Sequence, residues 1–387
     1  MTLHLSPDMV EATRLTRAGR LAEAITVLQG RRPQDKDAQQ AGPSRPQAKL
    51  IDMAPPSGSE GAWTPPEAVQ KAPHVGAEMR TIFTRPKQNP IKRSRAPTRD
   101  LPDGARFDQR MYANSAGSRP YKLYIPSRYS IAQPLALIVM LHGCTQTPDD
   151  FAAGTRMNEL AEEGPFLVAY PAQTQAANAS RCWNWFVEAE QKREGGEAAL
   201  IAGITREIMA EFAVDPGHVY VAGLSAGGAA AAIMGAAYPD LYAAVGVHSG
   251  LACGAARDMP SAFAAMRSGS RPACSTSDAR LPPTIVFHGD ADTTVHPVNG
   301  EHVAKQAGEN ASGLSSQIVR GRSSGGMSYT RITQSEGALP VSEQWILHGA
   351  GHAWAGGSPS GSYTDPRGPD ASREMLRFFR QASAQRA

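Results

Sequence analysis

No stretch of the 387-residue chain approaches the roughly 18 consecutive apolar residues that a membrane helix needs. The N-terminus, MTLHLSPDMVEATRLTRAGRLAEA, is interrupted by charges and lacks the apolar core of about 7–15 residues that marks a secretory signal. A cytoplasmic location is therefore the expectation, with export by another route as the alternative. Excess charge of one sign is scarce: 39 Lys and Arg stand against 36 Asp and Glu, a net charge of +3. That balance is too mild for a nucleic-acid partner. Cysteine is sparse as well. In a cytoplasmic chain Cys144, Cys182, Cys253 and Cys274 read as reduced thiols; export would open three pairings among the four.

What remains is 41% hydrophobic and 19% charged, enough for one large domain or two small ones. Three zones follow. Residues 1–30 read as two short helices, with Ser6 as a cap, Pro7 at the first position, and Leu21, Ile25 and Leu28 forming one apolar stripe. Residues 31–104 are rich in Pro, Gln, Ser and Ala and cannot bury enough surface to offset chain entropy, so they read as a disordered linker. Residues 105–387 carry short apolar runs: YKLYIP (121–126), LALIVML (135–141), FLVAY (166–170), VYVAGL (219–224), AAVGVHS (243–249), TIVFHG (284–289) and SEQWILH (342–348). Helical stretches near 150–163, 198–212, 226–237, 298–308 and 369–383 are interspersed among them. Strand–helix alternation of this kind predicts a three-layer α/β sandwich around a mostly parallel sheet, with functional loops at the carboxyl ends of the strands.

VYVAGLSAGGAAAAIMGAA sets Gly223-Leu224-Ser225-Ala226-Gly227 between an apolar strand and an Ala-rich helix. This is the setting of a nucleophile elbow, in which a strained serine stands above the sheet and glycines admit the strand and helix on either side. A second match, Gly321-Arg322-Ser323-Ser324-Gly325, lies in polar sequence with no buried strand before it, and reads as a hairpin connection. A serine hydroxyl needs a base, and the base a carboxylate; in the α/β-hydrolase fold the chain order is Ser, acid, His. FHGDADTTVHP offers Asp290 and Asp292, and HGAGHAWAGG offers His352. Asp292, deeper in its loop, is the expected acid, and Asp290 the expected loop brace. Of the ten histidines, His248, His288 and His348 sit at strand ends where structural hydrogen bonds are the default, and His296 at a pocket rim. The backbone N–H groups of Ala226 and of Cys144, in LHGCTQT, are the expected oxyanion donors. No metal or organic cofactor is needed for such chemistry.

LHGCTQTPDDF, SRCWNWF, VYVAGLSAGGAAAA, VHSGLACGAA, FHGDADTTVHPVNG and GAGHAWAGG together resemble the polyhydroxybutyrate depolymerase family of esterases, which includes relatives similar to feruloyl and acetyl xylan esterases. The likeness spans about 105–380 and implies an α/β-hydrolase with Ser225, Asp292 and His352 as its triad and Cys144 at the oxyanion loop. It implies poly- or oligo-3-hydroxybutyrate as substrate, with a feruloyl, acetyl or other short-chain ester as the rival. The chain departs from the family in lacking a signal, in adding residues 1–104, and in showing no substrate-binding domain after the core. Trp183, Trp185 and Trp354 are candidate walls of the substrate pocket, with core packing as the alternative. Residues 1–104 could tether the chain to storage granules or a protein partner, a binding function of a different class.

Overall fold

Strands that are apolar on both faces need cover on both, and their two-residue period sends successive side chains to opposite layers. The structure, a computed structural model, describes residues 101–270 and 280–384. The helices expected at 1–30, and all but the last four residues of the linker expected at 31–104, lie outside the described residues. In chain order the main strands are β1 (Arg106–Asn114), β2 (Gly117–Ile125), β3 (Leu135–Leu141), β4 (Phe166–Pro171), β5 (Val214–Leu224), β6 (Ala244–His248), β7 (Thr284–Gly289), β8 (Leu314–Arg322), β9 (Ser328–Glu336) and β10 (Leu339–Leu347). The helices are α1 (Pro148–Thr155), α2 (Met157–Glu163), α3 (Gly196–Glu211), α4 (Ala226–Ala237), α5 (Met259–Ser268), α6 (Val298–Ala307) and α7 (Ala371–Ser383).

The ten strands form one sheet in the order β1-β2-β4-β3-β5-β6-β7-β10-β9-β8. From β4 to β10 the neighbours are parallel; β1 and β2 at one edge, and β9 and β8 at the other, are antiparallel. In β3, Leu137, Val139 and Leu141 enter one hydrophobic cluster while Ile138 and Met140 enter a second. β5 divides in the same way, Val219 and Val221 against Tyr220, Ala222 and Leu224. The first cluster is covered by α3, α4, α5 and α6 through Ile204, Ile233, Ala262 and Val303. The second is covered by α1, α2 and α7 through Phe151, Leu160 and Phe379. Three layers are the result, as the alternation predicts. No helix among the described residues is long and apolar enough to cross a membrane.

Two local expectations are corrected. The single helix expected over 150–163 is broken in two: Arg156 adopts a left-handed conformation (φ 55°, ψ 24°) between α1 and α2, and its guanidinium reaches the Gly356 carbonyl at 3.1 Å and Asp370 at 3.2 Å. Strands β1, β8 and β9 and helix α5 have no counterpart among the expected elements. β8 reads LSSQIVRGR and is exposed along nearly its whole length, so it carries no apolar period to detect. The second Gly-x-Ser-x-Gly spans the β8–β9 turn, as expected, where the Ser323 hydroxyl donates to the Arg367 carbonyl.

Helix α7 closes the second layer by stacking Phe379 on Tyr220, ring centroids 4.7 Å apart at 14°. Both rings are buried. Truncating a fully buried ring removes its transfer energy and leaves a cavity, so Phe379→Ala should destabilise the domain by about 3–5 kcal/mol. Urea unfolding followed by tryptophan fluorescence measures it.

Candidate active site

Parallel strands turn all their carboxyl ends to one edge, and the loops after β3, β5, β7 and β10 gather there. Ser225 follows β5 directly and precedes the first residue of α4, with φ 58° and ψ −120°. Such a backbone costs of order 1–3 kcal/mol and persists only where the surroundings enforce it. Two contacts do so. The Ser225 N–H donates to the His248 carbonyl at 2.8 Å. The flanking glycines let α4 press against the sheet: a Cβ at Gly227 would stand 2.0 Å from the Leu141 carbonyl oxygen, and one at Gly223 only 2.2 Å from that of Gly227. At the start of α4 the Ala226 N–H has no acceptor within the helix, and the helix dipole adds partial positive charge there.

His352, in the loop after β10, donates from Nδ1 to Asp292 Oδ2 at 2.7 Å. A carboxylate can only accept, so Nδ1 carries a proton, and in the neutral ring Nε2 is the nitrogen with the free lone pair. Asp292, in the loop after β7, is 5% exposed, and its Oδ1 accepts from the N–H groups of Thr294 (2.8 Å) and Val295 (2.9 Å). His288 Nε2 stands 3.5 Å from Oδ2 while bonding the Val295 carbonyl at 2.9 Å. Burial alone would raise the Asp292 carboxyl, but hydrogen bonds from His288, His352 and Val295 outweigh it and hold the group well below its usual 3.8. Asp290 turns elsewhere: it accepts from His348 Nδ1 at 2.8 Å and from the Gly349 N–H at 2.7 Å, bracing the β7 loop against the β10 loop.

His248 joins these pieces. Its carbonyl holds Ser225, and its ring Nε2 accepts from the Ala355 N–H at 3.0 Å, three residues past His352. The ring stacks between Phe287 (5.7 Å) and Trp354 (5.1 Å). Burial, with repulsion from His288 and His352, keeps it neutral. His296 is exposed, and its ring nitrogen Nδ1 accepts from the Val298 N–H at 3.2 Å.

The loop after β3 faces the elbow: a Cβ on Gly143 would lie 3.6 Å from the Ser225 Cβ. The Gly143 N–H donates to Gln146 Oε1 (2.9 Å) and the Thr145 N–H to the Ser180 carbonyl (2.7 Å). Between them, the Cys144 N–H meets no acceptor among the described residues. The thiol at 144 corrects the expectation of reduced cysteines: Cys144 and Cys182 form a disulfide. Cys253 is buried and outside this bond, and Cys274 lies outside the described residues.

Comparison with known proteins places this geometry. A family model described as Esterase PHB depolymerase matches residues 119–329, more than half of the chain. The chain belongs to this family. It is 30% identical over 252 residues to poly(3-hydroxyalkanoate) depolymerase C of Paucimonas lemoignei, a match covering 62% of this chain and 60% of that protein. Feruloyl esterase B of Neurospora crassa is 27% identical over 292 residues, covering 68% of this chain and 89% of that enzyme. The solved acetyl xylan esterase of Aspergillus awamori superposes with a TM-score of 0.55 at 19% identity, over 71% of this chain and 98% of that one, a likeness of fold.

Within this PHB-depolymerase-family fold the three tryptophans do not stand as the open wall expected of them. Trp183 and Trp354 are fully buried and Trp185 is 5% exposed. Trp183 Nε1 donates to the His142 carbonyl at 3.1 Å and Trp354 Nε1 to Ser372 Oγ at 3.1 Å; Trp185 packs edge-on to Phe186 at 5.8 Å. All three rings are buried and the N–H groups of Trp183 and Trp354 are bonded within the fold, positions that fit the core-packing alternative. The polar partners of the loop after β3, Gln146 and Gln173, and the Glu197 that Gln173 bonds in turn, were not foreseen. Nothing in a lone Gln or Glu marks it in sequence, and only the three-dimensional contacts reveal them.

The Cys144–Cys182 bond closes a separation of 38 residues. On the chain-entropy model that is worth roughly 3–4 kcal/mol, so the paired substitution Cys144→Ala/Cys182→Ala should lower the urea midpoint accordingly. Asp292 yields a pH prediction. Its folded carboxyl lies below the unfolded value of 3.8, so its stabilisation is complete above that pH and is lost progressively as pH falls beneath it. Acid titration of thermal stability should show that loss in the parent and a flatter acid limb in Asp292→Asn.

Proposed function

We propose that the protein hydrolyses carboxylic esters through an acyl-enzyme, with Ser225 as nucleophile, His352 as base and Asp292 as its orienting acid. The observation that carries this reading is the strained Ser225 turn at the edge where His352 Nδ1 is bonded to Asp292 at 2.7 Å. Nε2 of His352 takes the Ser225 proton as the hydroxyl attacks the ester carbonyl. The tetrahedral oxyanion is received by the N–H groups of Ala226 and Cys144, both without acceptors among the described residues and both fixed before substrate arrives. His352 then gives its proton to the leaving alcohol. Water attacks the acyl-enzyme by the same path, and the acid product departs. Asp292, ionised throughout, holds the tautomer and stabilises the imidazolium.

Poly- or oligo-3-hydroxybutyrate is the substrate this reading favours, supported by membership in the family and by the likeness to the Paucimonas enzyme. A feruloyl or acetyl ester is the second reading, supported by the likeness to feruloyl esterase B. Release assays on hydroxybutyrate oligomers beside methyl ferulate separate the two. The Cys144–Cys182 bond supports work in an oxidising compartment.

Ser225→Ala should lower kcat on p-nitrophenyl butyrate by several orders of magnitude, up to about 10⁶-fold. Asp292→Asn, which leaves the ring in the wrong tautomer, should cost about 10⁴-fold. Near-parental turnover in Ser225→Ala would end the assignment.

A further inference from the structure

Glu197, the second residue of α3, is a buried carboxylate that the chemistry above does not use; it is 6% exposed. Four donors converge on it. The Asn184 N–H reaches Oε2 at 2.7 Å, while Asn184 Nδ2 (2.9 Å), Arg119 Nη2 (3.4 Å) and Gln173 Nε2 share Oε1. Burial raises the carboxyl to about 7 against the pull of the bonds from Asn184 and Gln173 and of the Arg119 charge. Buried ionisable groups are costly, and a cluster this fully engaged fixes every member in place.

Two of the partners of Glu197 lead to one loop, Gln173 directly and Asn184 through the adjoining residues 182–183. Gln173 Nε2 also donates to the Cys182 carbonyl at 2.9 Å, and the Gln173 N–H donates to His142 Nε2 at 3.0 Å. The His142 ring, kept neutral by burial with a value of about 4, accepts there while its Nδ1 donates to the Gly143 carbonyl at 2.8 Å. Trp183 Nε1 holds the His142 carbonyl at 3.1 Å, and Cys182 is joined to Cys144. Three separate links thus run from the residues that Glu197 gathers to the segment 142–144.

We propose that Glu197 is a positioning residue for ester hydrolysis: through Gln173 and residues 182–184 it fixes the Cys144 N–H where the oxyanion forms. The inference rests on the reading of Cys144 as an oxyanion donor. A displacement of about 1 Å at such a donor costs up to 10²-fold, and the contact exists only in the transition state. Its loss therefore appears in kcat and not in KM.

The test is Glu197→Gln in the full chain, assayed with p-nitrophenyl butyrate and normalised to sites labelled to completion by a fluorophosphonate. Glutamine keeps the shape but turns an acceptor into a donor facing the amides of Gln173 and Asn184. The expected result is a 10- to 100-fold fall in kcat per labelled site with KM changed less than threefold. Gln173→Met, which keeps the volume and cuts the link to Cys182, should give the same split and serves where Glu197→Gln does not fold. A folded variant with kcat per labelled site within twofold of the parent overturns the inference, as does a loss confined to KM or to thermal stability. Parent protein that turns over ester yet takes no label at Ser225 overturns the serine reading itself, a separate outcome.

Discussion

The site depends on a steric fit with no slack. At residues 223 and 227 the first turn of α4 lies so close to the carbonyls of Leu141, His142 and Gly227 that a single methyl group would overlap them. That closeness keeps Ser225 in a conformation it would otherwise leave. The same contact brings the end of β3, and with it the loop carrying Cys144, beside the serine. The placements of the proposed nucleophile and of both proposed oxyanion donors are consequences of one packing constraint between a helix and two strands. The constraint exists because β3 and β5 are buried on both faces and need a helix on each.

Around this fit, electrostatics is arranged so that charge is concentrated on one carboxylate. Asp292 accepts two backbone N–H groups and His352, with His288 near by, and stays ionised although buried. His142 and His248, also buried, are held neutral, so their rings serve as ordinary donors and acceptors in the frame. These two buried rings can therefore flank the site without competing for the proton that the proposed mechanism assigns to His352. His248 is the hinge of the design: its carbonyl holds the Ser225 N–H and its ring holds the loop that carries His352.

Much of this was legible in the sequence because it rests on local chemistry. The central strands are apolar on both faces, and the elbow has glycine where no side chain fits. Asp292 and His352 follow their strands in the order the fold requires, and the polar setting of Ser323 marks the second motif as a turn. The illegible parts are those set by tertiary contact. β1 and β8 are the sheet's edge strands and β9 lies next to β8; their pattern is mixed or polar, so pairing alone defines them. The break at Arg156 accompanies an ion pair with a residue 214 positions away. The Cys144–Cys182 bond was obscured by a reading of compartment from the N-terminus, whereas the decision lies in the proximity of two loops. Trp183 and Trp354 looked like pocket residues because they flank reactive segments, but their N–H groups find buried acceptors and draw the rings inward.

The most direct measurement is the location of the acyl group during turnover. Rapid acid quenching of the enzyme with p-nitrophenyl butyrate, followed by peptide mapping, should place a butyryl mass increment on the peptide containing Ser225. An increment on a peptide bearing Ser323 or Cys253 instead, or steady turnover with no acylated peptide at any quench time, would contradict the mechanism.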